Sequence, residues 1–400
     1  MNSQKLMFPI ILFVICAAQM ASDIYAPSLS AISIGLHTSV ANVQFSMAIY
    51  MFGLAISQLF YGAISEGLGR RTPLIAGLII LFIGNLVSLF AFSITGLIIG
   101  RLIQGCGAGA CAALWRSIFR DTYEGVELAK YGSYLSIFVT FIVPAVPVIG
   151  GYLQEFFGWR ASFTFLAIYS LITLLLVFLG LKETSQYHHR DRLKIKFIFQ
   201  SFQKMLLSPI FVGYTLCTFL CYGAFFSWFS IGPVLLIHNL KISPVTFGWV
   251  TLVCGGLATA LGGWVNGRLV TRLGTHVMLR SGFSMMFLAG LVMLIGMFLF
   301  GIDILAIVIP MALFYFGVTF VWPSAFAGAF APYGKMAGYA GALYGFMQIS
   351  GGAAIGTVVS YLPHNNQLSL ALVFITTSIL AWLIFEKIVR RKEKILNLAK

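Results

Sequence analysis

Long apolar runs separated by short polar or charged loops dominate the chain. They fall at residues 6–25, 42–64, 73–92, 95–118, 131–153 and 162–181, and again at 208–237, 244–265, 277–300, 304–326, 337–361 and 368–388. Each is long enough to cross a hydrocarbon layer of about 30 Å as a helix rising about 1.5 Å per residue. That layer holds no water to satisfy free backbone groups, so runs of this kind adopt helix. The pattern predicts an all-α membrane protein of twelve transmembrane helices in two pseudo-symmetric six-helix bundles, a division expected of carriers built from an internal repeat. The expected boundaries are 1–181 for the N-terminal bundle, 182–207 for a cytoplasmic linker, 208–388 for the C-terminal bundle and 389–400 for a basic cytoplasmic tail. The first run has no small-residue cleavage site before the next, and reads as the first membrane helix rather than a removable signal. The halves echo each other at residues 62–71 and 262–274, both glycine-rich exits from a second span that carry arginines.

Composition agrees. With 60 % hydrophobic and 9 % charged residues, and a mean hydropathy of +0.95, an ordinary soluble domain is excluded. The net charge of +14 does not indicate a nucleic-acid binder, because the basic residues sit in short clusters between apolar runs. All Lys and Arg except Arg101, Arg160 and Lys241 fall in tails and loops that lie on one side if the N-terminus is cytoplasmic. By the positive-inside bias both termini are then cytoplasmic. The linker carries Lys182, His188, His189, Arg190, Arg192, Lys194, Lys196 and Lys204, and reads as a solvated connection or a short amphipathic helix on the membrane surface. The six cysteines lie in apolar runs without metal-ligand or CxxC spacing, so they read as packing residues and no metal or cofactor is implied.

Against this background a few residues stand out. Asp23 lies in or near the far boundary of the first apolar layer, where an acid is costly unless it is protonated, paired or facing water. Two readings stay open: a proton-carrying group, or an interfacial acid that caps a helix. Arg101 lies within the fourth run at a matching depth, and either pairs with Asp23 or ties helices together through backbone carbonyls. Gln104, Gly105, Gly107 and Gly109 follow it, with the small residues that let helices approach closely. Gly62, Glu66, Gly69, Arg70 and Arg71 form a tight basic turn, in which Glu66 either pairs across the cytoplasmic face with a cation such as Arg116 or is simply solvated. Pro144, Pro147, Gly150 and Gly151 place a hinge in the fifth run, though prolines are also common in membrane helices without a special role. Aromatic residues are dense at Tyr222, Phe225 and Phe229 and recur at Tyr25, Tyr50, Trp322 and Phe346, with Gln348 nearby. An aromatic cavity suits amphipathic organic molecules.

Order and spacing of these motifs resemble the major facilitator superfamily. Residues 62–71 are similar to its signature between helices two and three, Arg101 to Gly105 to its Arg-x-x-Gln-Gly motif, and residues 144–151 to the proline-glycine motif of its antiporters. Residues 23–27, residues 116–121 with Arg116, Arg120 and Asp121, and residues 337–342 with Gln348 resemble the Bcr/CflA-type drug:proton antiporters. Glu66 stands where that signature usually has Asp, and Gly67 where Arg is common. The resemblance implies a major facilitator fold with a central cavity and alternating access. It also implies Asp23 as the proton-carrying acid, Arg101 as the coupling base, and a cytoplasmic gate of Gly62, Glu66, Gly69, Arg70, Arg71, Arg116, Arg120 and Asp121. Tyr25, Tyr50, Gln104, Tyr222, Phe225, Phe229, Trp322, Phe346 and Gln348 are then expected along the substrate cavity.

The expected function is proton-coupled export of amphipathic organic solutes across a bacterial inner membrane, by a monomer and not an enzyme. Its partners would be a small organic substrate, protons and membrane lipid, with no nucleic acid. Export of an endogenous siderophore or amino acid, proton-coupled nutrient import, and a membrane sensor that does not transport are the alternatives.

Overall fold

The computed structural model of the chain describes residues 3–123, 125–184 and 195–398, and every regular element among them is helical. The chain divides into two compact units, Met1–Gln200 and Ser201–Lys400. In the first lie α1 (Ser3–Asp23), α2 (Leu29–Gly35), α3 (Val40–Leu68), α4 (Arg71–Leu89), α5 (Ile94–Thr122), α6 (Gly125–Phe157) and α7 (Arg160–Gly180). After α8 (Ile195–Leu206), the second unit holds α9 (Pro209–Pro233), α10 (Pro244–Val250), α11 (Leu257–Leu273), α12 (Thr275–Phe300), α13 (Ile304–Phe330), α14 (Ala337–Ser360), α15 (Leu368–Ile384) and α16 (Arg391–Leu398). Among the described residues 11 helices or helix combinations are long and apolar enough to cross a membrane. The remaining apolar run, 131–153, falls in α6, whose stretch Phe141–Phe157 is a shorter apolar helix. Of the basic linker residues, His188, His189, Arg190, Arg192 and Lys194 lie outside the described residues.

The first span departs most from expectation. Instead of ending near residue 25, the apolar path runs Met7–Gly35. α1 stops at Asp23, a 3₁₀ turn at Ala26–Ser28 follows, and α2 continues. Pro27 explains the interruption: it has no N–H to give the Asp23 carbonyl four residues back, yet it fits the first turn of a new helix. Asp23 therefore lies inside this apolar path, at the point where its first helix ends, and not at the end of the path.

In the first unit α1, α3 and α4 pack on α5, and its glycines show how. A Cβ on Gly105 would lie 2.2 Å from the Tyr50 carbonyl oxygen of α3, and one on Gly107 would lie 2.2 Å from the Leu81 nitrogen of α4. Backbones this close need hydrogen as the side chain, the usual device where lipid provides no hydrophobic drive between helices. α6 runs unbroken through Pro144 and Pro147, which removes the helix donors that the Thr140 and Val143 carbonyls would otherwise receive. Its Gly150 presses on the first span, where a Cβ would come within 1.8 Å of the Ile24 carbonyl oxygen, one residue past Asp23. In the second unit α9 packs on α13, α14 and α15, and a Cβ on Gly351 of α14 would lie 2.0 Å from the Phe219 carbonyl oxygen.

The sequence echo has a structural counterpart. α3 ends at Gly69 with φ +85° and α11 at Gly274 with φ +80°, a left-handed exit that costs glycine little. The predicted basic tail is more ordered than a tail. After a π-helical segment, Phe385–Arg390, it forms α16, held where Tyr214 Oη donates to Glu393 Oε1 at 2.9 Å and Arg280 pairs with Glu386 at 2.6 Å.

The Gly150 contact generates a prediction. Gly150→Val should displace α6 from the end of α1 and destabilise the protein by about 1–3 kcal/mol, read as a lower thermal midpoint in detergent. An unchanged midpoint would contradict the close approach.

Candidate functional site

Asp23 is 2 % exposed and ends α1, where helix carbonyls present the negative end of the dipole. Donors from the same helix compensate. Gln19 Nε2 donates to Oδ2 at 2.9 Å, and Ser22 Oγ donates to Oδ1 at 2.5 Å. A serine hydroxyl can also accept, so the pocket suits both the ionised and the protonated carboxyl.

Arg101, on α5, is fully buried. Its guanidinium is sandwiched between the rings of Tyr25, 4.3 Å away, and Tyr50, 4.2 Å away. Each desolvated cation–π contact contributes about 2 kcal/mol, which offsets part of the cost of removing the charge from water. Both rings are held in place: Tyr50 Oη donates to the Ala18 carbonyl at 2.8 Å, and Tyr25 Oη lies 3.2 Å from Ser46 Oγ. Arg101 Nη1 donates to the Ala21 carbonyl at 2.7 Å and to Gln104 Oε1.

The expected carboxylate–guanidinium pair is thus not a direct contact in this structure. Arg101 grips the α1 backbone two residues before Asp23, and the carboxyl takes its bonds from Gln19 and Ser22. Helix geometry gives the reason, since the broken end of α1 turns a free carbonyl toward α5 and the acid is served from its own helix. Tyr25, Tyr50 and Gln104, expected on a substrate cavity, are all fully buried and engaged with Arg101.

At the 62–71 turn Arg70 gathers the groups around it. Arg70 is 5 % exposed and bonds Ser65 Oγ at 2.6 Å, Glu66 Oε1 at 3.0 Å and Asp121 Oδ2 at 3.1 Å. Glu66 and Asp121 therefore meet on one guanidinium, whose planar fork matches carboxylates. Arg116 is exposed and lies over the Trp115 ring at 4.5 Å, and Arg120 is exposed. Arg71 reaches the Phe178 carbonyl at 2.7 Å, and the Gly62 carbonyl accepts from Ser65 Oγ at 2.8 Å.

Sequence reasoning missed Glu183, which follows α7. Its Oε1 accepts from the Arg70 backbone N–H at 2.8 Å and its Oε2 from that of Arg71 at 3.2 Å. A carboxylate there satisfies free donors at the start of α4 and complements the helix dipole. Gly69 makes room for it, because a Cβ at that position would lie 2.3 Å from Glu183 Oε2. Asn85 was also missed, although it is the one amide in the apolar run 73–92, and a lone polar group in such a run marks an interhelical bond.

In the second unit Tyr222, Phe225, Phe229 and Trp322 do come together. Phe225 is the hub, 5.2 Å from Trp322, 5.6 Å from Phe229, 6.2 Å from Tyr222 and 4.7 Å from Tyr315, which stacks on it. Phe346 and Gln348, on α14, are half-buried, and neither takes part in these ring contacts.

A helical chain with many apolar spans, and with an acid and a base buried together in one of its units, has the makings of a polytopic membrane carrier. The sequence matches the Major Facilitator Superfamily over residues 11–357, and the chain belongs to that transporter family. It is 29 % identical to Multidrug resistance protein D of Escherichia coli, covering 93 % of this chain and 94 % of that one. It is 27 % identical to the Bicyclomycin resistance protein homolog of Haemophilus influenzae over 92 % of both. Its fold is similar to that of the Escherichia coli xylose transporter XylE in a partially occluded inward-open conformation, with a TM-score of 0.72, 14 % identity, and coverage of 97 % and 98 % of the two chains.

The Arg70 cluster is open to test. Arg70→Gln leaves Glu66 and Asp121 without their shared cation and should destabilise the protein by about 3 kcal/mol, read as thermal unfolding in detergent. Glu183→Ala should cost about 1 kcal/mol through the lost helix cap, and an effect larger than that of Arg70→Gln would reverse their assigned importance.

Proposed function

We propose that this protein is a proton-coupled antiporter that exports amphipathic organic solutes from the bacterial cytoplasm across the inner membrane by alternating access. In this reading it crosses the membrane twelve times with both termini cytoplasmic, α6 supplying the span that completes the set. The observation that carries it is Asp23, a buried carboxyl inside an apolar path with an arginine on the adjacent helix. Ionisable groups at such depth are expensive to bury and are rarely retained without a role in moving ions or protons. The names of the two bacterial relatives, a multidrug and a bicyclomycin resistance protein, favour drug-like organic substrates leaving the cell.

Asp23 takes up and releases the proton, and Arg101 responds to it. Held by the Ala21 carbonyl, Arg101 senses any change in how α1 ends, and a shift of that turn alters the field at the neighbouring carboxyl. The Arg70 cluster latches the 62–71 turn in one state of the cycle. The rings around Phe225 offer apolar, polarisable surface to a flat organic solute.

The test is transport in proteoliposomes under an imposed pH gradient, with drug substrates run against amino acids and siderophores. Asp23→Asn should fold normally and lose gradient-driven transport. Full activity in that variant would reject the proton role. Arg101→Ala should move the pH profile of transport by about one unit or more, and an unaltered profile would remove Arg101 from coupling.

A further inference from the structure

Arg101 stands at one end of a line of hydrogen bonds that runs through three further side chains. Its Nη1 donates to Gln104 Oε1. Gln104 Nε2 donates to Asn85 Oδ1 on α4. Asn85 Nδ2 donates in turn to the Leu166 carbonyl at 3.0 Å and to Ser170 Oγ at 2.9 Å, both on α7. Ser170 spends its own proton on the Ala167 carbonyl at 3.0 Å, so it can only accept from Asn85. Asn85 is 1 % exposed, and Gln104 and Ser170 are equally shielded from water.

The line has one sense. The Leu166 carbonyl is an acceptor and nothing else, which forces the Asn85 amide to turn its NH₂ toward α7 and its oxygen toward Gln104. That oxygen fixes the Gln104 amide with its NH₂ on Asn85 and its own oxygen on Arg101. Were Gln104 free to flip, the guanidinium would face an amide NH₂, donor against donor, among fully buried side chains. The helices are close enough for so short a side chain to reach: a Cβ on Gly84 would lie 2.3 Å from the Gln104 nitrogen. The same turn of α7 is tied to α1, where Tyr169 Oη donates to the Phe13 carbonyl at 3.2 Å. Side-chain bonds thus close a circuit α7–α4–α5–α1, with Arg101 and its hold on Ala21 as one segment of it.

We propose that Asn85 is a positioning residue for Arg101. It acts only through Gln104, setting the amide so that its oxygen meets the guanidinium, and it makes the placement of α7 felt at the end of α1. This rests on the reading that Arg101 takes part in proton coupling.

The test separates coupling from transport as such. Wild type and variants are reconstituted in proteoliposomes. Each is assayed for substrate movement driven by a pH gradient, and for substrate–substrate counterflow without one, with thermal midpoints in detergent as the check on folding. Asn85→Leu, which keeps the volume and removes both polar functions, should lower gradient-driven transport about tenfold and leave counterflow within about twofold. Gln104→Ala should show the same split, and the double variant should be no worse than Gln104→Ala alone, because the two residues act in series. Losses that multiply in the double variant, or equal losses in both assays, would show that Asn85 merely packs α4 on α7 and would overturn the proposal. Where the leucine variant does not fold, Asn85→Ala carries the same cycle. Arg101→Ala keeps the two ideas apart. If it shifts the pH profile of gradient-driven transport while Asn85→Leu changes nothing, the Asn85 proposal alone fails. If neither variant changes it, the coupling reading fails.

Discussion

The burial of a guanidinium and a carboxyl in a run of otherwise apolar helix is the constraint around which the first unit is arranged. A charge there is tolerated only if the protein replaces what water would supply. For Arg101 the replacement is two aromatic faces, a backbone carbonyl freed by the end of α1, and an amide oxygen. For Asp23 it is an amide and a hydroxyl from its own helix. The two groups are solvated separately although they sit on adjacent helices. The carboxyl is served from its own helix and the guanidinium from its neighbours, so neither takes the other as its hydrogen-bond partner.

This solvation requires helices closer than side chains normally allow. Gly105 and Gly107 bring α3 and α4 onto α5, Gly84 brings Asn85 within reach of Gln104, and Gly150 sets α6 on the turn after Asp23. Each contact is of backbone on backbone, where dispersion gains concentrate in a lipid-facing protein. Small residues and buried polar groups therefore depend on each other. The glycines make the approach that the polar side chains need, and the polar bonds select the register in which the glycines fit.

Away from this centre, each unit closes its loops with charge. In the first, Arg70 gathers Ser65, Glu66 and Asp121, and Glu183 caps the start of α4. In the second, Arg280 and Tyr214 hold the last helical segments through Glu386 and Glu393. Both units leave their second long span through a left-handed glycine. That exit is a backbone geometry common to the two units, whereas the ion pairs just named differ between them.

What the sequence determined by itself follows from the energetics of the bilayer. Apolar runs of spanning length must be helical and small residues let helices close up, so the helical character and the close approach at Gly105 and Gly107 were legible, as was the burial of an acid and a base at Asp23 and Arg101. So was the Tyr222–Phe225–Phe229 side of the aromatic cluster, because helical spacing places those residues near one another. Partners across helices were not legible. Sequence spacing could bring Glu66 near Arg70, but it could not show that Asp121 and Glu183 arrive from 51 and 113 residues away. Nor could it show that Arg101 would take the Ala21 carbonyl rather than the Asp23 carboxyl, since that choice depends on where Pro27 ends α1 and how closely α5 approaches. The continuation of the first apolar path to Gly35 was not legible either, because only the folded chain shows helix resuming after the turn that Pro27 imposes.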